Sequence, residues 1–120
     1  MYIDKEHIDF QSDVIEASKT SPVLVDFWAS WCGPCLMLSP SLEKLANEAG
    51  DSWNLIKVNT ETQPELAAKY GIRSIPNVKL FVNGEISGEF IGALPEEEIK
   101  QWLDSNIPER SEIGMEEAIS

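Results

Sequence analysis

The sequence predicts an α/β fold, a central mixed β-sheet sandwiched between helices on both faces. Three observations carry that prediction. Val23 to Ala29 is a near-continuous apolar run, as expected of a strand buried on both sides. Immediately behind it, Cys35, Leu38, Leu42, Leu45 and Ala49 recur at steps of three and four, one stripe of an amphipathic helix. Asn83-Gly84 lies between two β-rich runs, a strong short-range signal for a hairpin. Helices alternating with strands and followed by a hairpin suit a sheet covered by helices on each side.

The remaining elements follow in order. Phe10, Val14 and Ala17 are spaced for a helix over Asp9 to Ser18, with Asp9 as cap and Ser21-Pro22 as stop. The second helix should open at Gly33-Pro34; Pro40 lies within it, removes one backbone donor and predicts a kink. Trp53 to Val58 is short and β-rich. Thr62 and Glu65 have the spacing of a capping box for a short helix, which Gly71 would close. Val78 to Val82 and Glu85 to Ile91 form the hairpin arms. Pro95, Ile99, Trp102 and Leu103 mark a final amphipathic helix. Residues 1–107 read as one domain and 108–120 as an acidic tail, in which Met115 to Ile119 is too short for a helix standing alone.

Composition narrows the function classes. The 120 residues suffice for one hydrophobic core. Nine Lys and Arg against twenty-one Asp and Glu give a net charge of −12, which repels phosphate backbones and anionic lipid. Nucleic acid and membrane are therefore poor partners. Acidic residues at Asp4 and Glu6 interrupt any signal-peptide pattern, and no run of roughly 18 apolar residues could cross a bilayer. The expected compartment is a reducing cytoplasm, where a permanent structural disulfide would be out of place.

The only two cysteines, Cys32 and Cys35, are three residues apart in Trp31-Cys32-Gly33-Pro34-Cys35. That spacing puts both thiols on one face of a helix's first turn, where they can close a small reversible disulfide. A helix N-terminus favours a thiolate through its dipole and unpaired N–H groups. Cys32 is thus expected to be the exposed attacking thiol, and Cys35, one turn on and facing the core stripe, the resolving one. With no second cysteine pair and only the remote His7, one chain cannot assemble a four-ligand zinc site or a Cys₄ cluster. Asp26 is an acid inside an apolar strand, where it must raise its pKa or find a partner, backbone amides being the plain structural alternative.

The stretch Asp26-Phe27-Trp28-Ala29-Ser30-Trp31-Cys32-Gly33-Pro34-Cys35 resembles the active-site strand and corner of the thioredoxin family. Ile72-Arg73-Ser74-Ile75-Pro76, then Asn83-Gly84 and Gly92, match that family's other landmarks in order and spacing, and the likeness spans about residues 8 to 106. The resemblance implies a thioredoxin fold and a thiol–disulfide oxidoreductase that reduces protein disulfides through Cys32 and Cys35. It implies that Asp26 serves as a buried acid–base group for Cys35, with Lys57 as its neighbour. It also implies a cis bond before Pro76, although X–Pro bonds are generally cis in only about 5–6% of cases. Extended backbone at Ile75 would pair with a substrate strand, and Gly92 and Ala93 would leave it room. Trp31 would form the rim of that surface, with Gly33 and Pro34 beside it, whereas Trp28 would pack beneath the site. No bound cofactor is implied; electrons would come from NADPH through a thioredoxin reductase, and the chain would act as a monomer on disulfide-containing clients.

Two departures stand out. Leu36 occupies a position commonly basic in the family, and with Met37 it should place an exposed apolar patch beside the thiols. Asn59 replaces a usual acid, and Asn77 follows the proline. The segment from Gly92 through the acidic tail is similar to the thioredoxin domain of YbbN-type thioredoxin–TPR proteins, which act with chaperones. The alternative reading is accordingly a co-chaperone whose groove around Trp31, Leu36, Ile75 and Pro76 holds clients.

Overall fold

The computed structural model describes residues 1–108; the expectations for the acidic tail, including a helix near Met115, lie outside the described residues. Four strands, β1 (Val23–Trp28), β2 (Asn54–Asn59), β3 (Asn77–Val82) and β4 (Glu85–Ile91), form one sheet in the order β2-β1-β3-β4. β1 runs parallel to β2 and antiparallel to β3, and β3 to β4, so the sheet is mixed. The interior place of β1 explains why its sequence is apolar on both faces.

Strand alternation divides the core in two. Leu24, Leu55, Val78 and Leu80 point to α1 (Gly33–Ala49) and α3 (Glu96–Asn106), meeting Leu38, Leu42, Leu45, Ile99 and Leu103. Val23, Val25, Phe27, Ile56, Val58 and Phe81 face the other way, toward the N-terminal helical segment and α2 (Pro64–Lys69), where Phe10, Val14, Leu66 and Tyr70 cover them. The three layers expected from the sequence are therefore present.

Local chemistry accounts for most of the boundaries. The hairpin turns at Asn83 and Gly84, both with positive φ (53° and 82°), the pair that a type I′ turn requires. α2 ends in a Schellman arrangement: Ile72 N–H reaches Ala67 O at 2.9 Å, Gly71 N–H reaches Ala68 O at 3.1 Å, and Gly71 takes φ +62°.

Two expectations need correction. The segment after Asp9 is helical but winds as a π turn, Gln11–Glu16, passing into a 3₁₀ turn, Ala17–Lys19. Asp9 does accept from Ser12 N–H, at 3.4 Å. The capping box at Thr62 does not form: the Thr62 hydroxyl donates to Asn59 O, and Gln63 precedes Pro64 at the helix start. Gln63 is committed elsewhere, its buried amide exchanging two 3.0 Å hydrogen bonds with the Ile8 backbone. α1 runs as one helix through Pro40, which sits on its exposed side and outside the core stripe.

Candidate functional site

The C-terminal end of β1, the first turn of α1 and the start of β3 converge on the cysteine pair. Cys32 is the N-cap of α1, with extended backbone (φ −90°, ψ 105°), and its Sγ accepts the Cys35 N–H at 3.2 Å. The two sulfurs are joined in a disulfide. Cys32 is not the exposed residue that its place at a helix start suggested: it is only 4% accessible. Its sulfur is tied back to Cys35, lies 3.7 Å from Ile75 O, and shares a small cluster with Ala29, Trp28 and Ile75.

The rim around the buried sulfurs is apolar and open. Trp31 is 71% accessible, Leu36 53% and Met37 75%, so the patch expected beside the thiols is present. Gly33 and Pro34 are exposed at the corner, and Trp28 is partly buried against the cysteines. The Ile75–Pro76 bond is cis, as the family resemblance implied, with Ile75 half-buried and Pro76 buried. Gly92 N–H donates to Pro76 O at 2.9 Å, which brings Gly92 and the exposed Ala93 to the same end of the sheet. Gly92 has φ +93°, a conformation that a side chain would strain.

Asp26 is fully buried on the α1 face of β1, opposite Lys57 in the parallel register with β2. Neither carboxylate oxygen has a hydrogen-bond partner, so satisfaction by backbone amides is ruled out. Burial, opposed by the positive charge of Lys57 and reinforced by the negative charge of Glu43, pushes the Asp26 pKa up from 3.8 to about 7. Lys57 nevertheless makes no hydrogen bond with this acid. Its ammonium donates to Ser39 Oγ and, at 3.3 Å, to Glu43 Oε2, and lies 5.1 Å from the centre of the Trp28 ring.

Sequence reasoning missed Ser39 and Glu43, although a signal was available. Cys35, Ser39 and Glu43 follow one another at steps of four and so lie along one line of α1. It also missed Glu61, whose carboxylate accepts from Ser30 N–H at 2.8 Å and Ser30 Oγ at 2.7 Å, anchoring the loop before Trp31. Nothing local marks Glu61, because the contact spans 31 residues. Among the described residues, no three His, Cys, Asp or Glu side chains are grouped to hold a metal, and no helix is long and apolar enough to cross a membrane.

Residues 2–105 match the thioredoxin family model. A thioredoxin of Rhodospirillum rubrum is 40% identical over 98 residues, covering 82% of this chain and 92% of that protein. Thioredoxin 1 of Synechococcus elongatus is 42% identical and a thioredoxin of Porphyra purpurea 45%, each over 82% of this chain and 90% of the relative. Family, fold and a cysteine pair at bonding distance agree. This chain belongs to the thioredoxin family and is a thiol–disulfide oxidoreductase with a redox-active Cys32–Cys35 pair.

Proposed function

We propose that the chain is a general reductant of protein disulfides, recharged by NADPH through a thioredoxin reductase in the cytoplasm. The observation that carries this reading is a disulfide seated at a helix N-terminus inside an open apolar rim. Each turnover runs in two exchanges. The Cys32 thiolate attacks one sulfur of a client disulfide, and the other client sulfur leaves as a thiolate. Asp26 takes the proton of Cys35, whose thiolate then attacks Cys32 Sγ. That step closes the Cys32–Cys35 disulfide and frees the client's second thiol. The client is reduced by two electrons and the cysteine pair is oxidised by two.

Support for these roles is geometric. The Cys35 N–H already points at Cys32 Sγ, a donor placed to stabilise a thiolate there. Asp26, held up to about 7 by burial, is matched to a proton transfer near neutral pH. Lys57, paired with Asp26 across β1 and β2, supplies a positive charge that favours the ionised acid. Ile75 lies just before the β3 ladder begins, which supports reading its backbone as the partner of an extended client segment beside Pro76, Gly92 and Ala93. Trp31, Gly33 and Pro34 are exposed around the cysteines, which supports reading them as part of the same docking surface.

The test couples the protein to a thioredoxin reductase and follows NADPH consumption with insulin disulfides as acceptor. Wild type should turn over, and Cys32→Ser should fall to the background rate. No turnover by a wild type whose thiols react normally with a small disulfide would overturn the reading. It would favour a dedicated partner or the client-holding alternative.

A further inference from the structure

We propose that Ser39 and Glu43 are positioning residues that hold the Lys57 ammonium off the Asp26 carboxyl, leaving that buried acid without a bonded counter-ion. The functional meaning rests on the reading of Asp26 as the acid–base partner of Cys35.

The β1–β2 register sets Asp26 and Lys57 at matched positions on the α1 side of the sheet. A lysine there is the natural counter-ion for a buried carboxylate. Both Asp26 oxygens are nonetheless without a hydrogen bond. The lysine is taken up by α1 instead: its Nζ bonds Ser39 Oγ and Glu43 Oε2, and the Ser39 hydroxyl donates to the same Glu43 oxygen at 2.8 Å. The rings of Trp28 and Tyr2, 5.1 and 5.7 Å from Nζ, flank the ammonium. Beside it lies a cavity of about 480 Å³, lined by Tyr2, Trp28 and Lys57 together with the charged Asp4, Lys5 and Glu6 of the N-terminal segment.

Asp26 is surrounded by groups from both neighbouring strands, α1 and the N-terminal segment. β2 contributes Lys57, α1 contributes Cys35 and Glu43, and the N-terminal segment contributes Tyr2. β3 presents Val78, Leu80 and Val82 on this face, none of them charged. The Tyr2 phenol is pushed up to about 12, chiefly by burial, and stays neutral across the relevant range. The balance at Asp26 is therefore set by burial, by how near Lys57 is allowed to come, and by the charge on Glu43. A carboxylate gaining a cation within contact distance falls by about 1–3 pH units, so releasing Lys57 would be felt strongly.

The test is a ¹³C NMR titration of the Asp26 carboxyl in the oxidised full chain. Glu43→Gln should move that titration to lower pH by about one unit, and Ser39→Ala should move it the same way by less. In a Lys57→Met background, Glu43→Gln should lose the larger part of its effect, because only direct repulsion between the two carboxylates remains. An unmoved titration in both single variants, or an equal shift with and without Lys57, would overturn the proposal. The pH profile of insulin reduction should follow the titration. A shifted titration with an unmoved profile would support the clamp and count against Asp26 as the proton acceptor.

Discussion

Cys35→Ser should convert the protein from a catalyst into a trap. Cys32 can still attack a client disulfide, but no second thiol remains to release the product, so a covalent complex should accumulate. Cys32→Ser should neither turn over nor trap, because Cys35 lies inside α1 and lacks the helix N-cap position that favours the Cys32 thiolate. Non-reducing gels of the two variants after exposure to disulfide-bonded protein, with free thiol counted in parallel, provide the check. The asymmetry is the informative part: equal trapping by both variants would mean that the roles of the cysteines are not distinct. The double serine variant separates the chaperone-linked alternative, which predicts that clients are still held when neither sulfur is present.

Asp26→Asn should raise stability at alkaline pH, with a gain that vanishes in acid. The unfolded chain releases the Asp26 proton near 3.8, whereas the folded oxidised protein keeps it until about 7. Between those values the folded state binds more protons than the unfolded state, so wild-type stability declines as pH rises. The full decline is about 4 kcal/mol, from roughly three units at 1.36 kcal/mol each. Below about pH 4 wild type and variant each carry a neutral buried group and should unfold with similar midpoints. Above about pH 8 the variant should be more stable by up to that amount. Urea midpoints of the oxidised proteins at pH 4, 6 and 8 give the answer, and a difference that does not change with pH would contradict the burial of an ionisable acid. The same substitution should slow turnover, since the group that relieves Cys35 of its proton is gone.

What was legible in the sequence was local or repeated. The apolar run of β1, the stripe on α1 and the Asn83-Gly84 turn each encode their structure in residue type and spacing, and each formed as expected. The exposure of Leu36 and Met37 followed from the same helical geometry that buried Leu38 and Leu42. What was not legible depended on residues distant in the chain. Gln63 was drawn away from a local cap by the backbone of Ile8, 55 residues earlier. Lys57 was drawn from its cross-strand acid by Ser39 and Glu43 on another element. The burial of Cys32 could not be read from its helix-start position, because it depends on Ile75 and the bond to Cys35. The cis bond at Pro76 came from family likeness and from no residue-level signal.

The central claim is that the Cys32–Cys35 pair gives electrons to protein disulfides. The most direct test is its reduction potential, measured by equilibrating the protein with redox buffers and counting free thiols at each setting. A value near −270 mV, as is characteristic of thioredoxin, is the predicted result, about 100 mV or more below the oxidants of disulfide formation. A value of about −120 to −180 mV would place the pair among disulfide donors and isomerases and would contradict the claim.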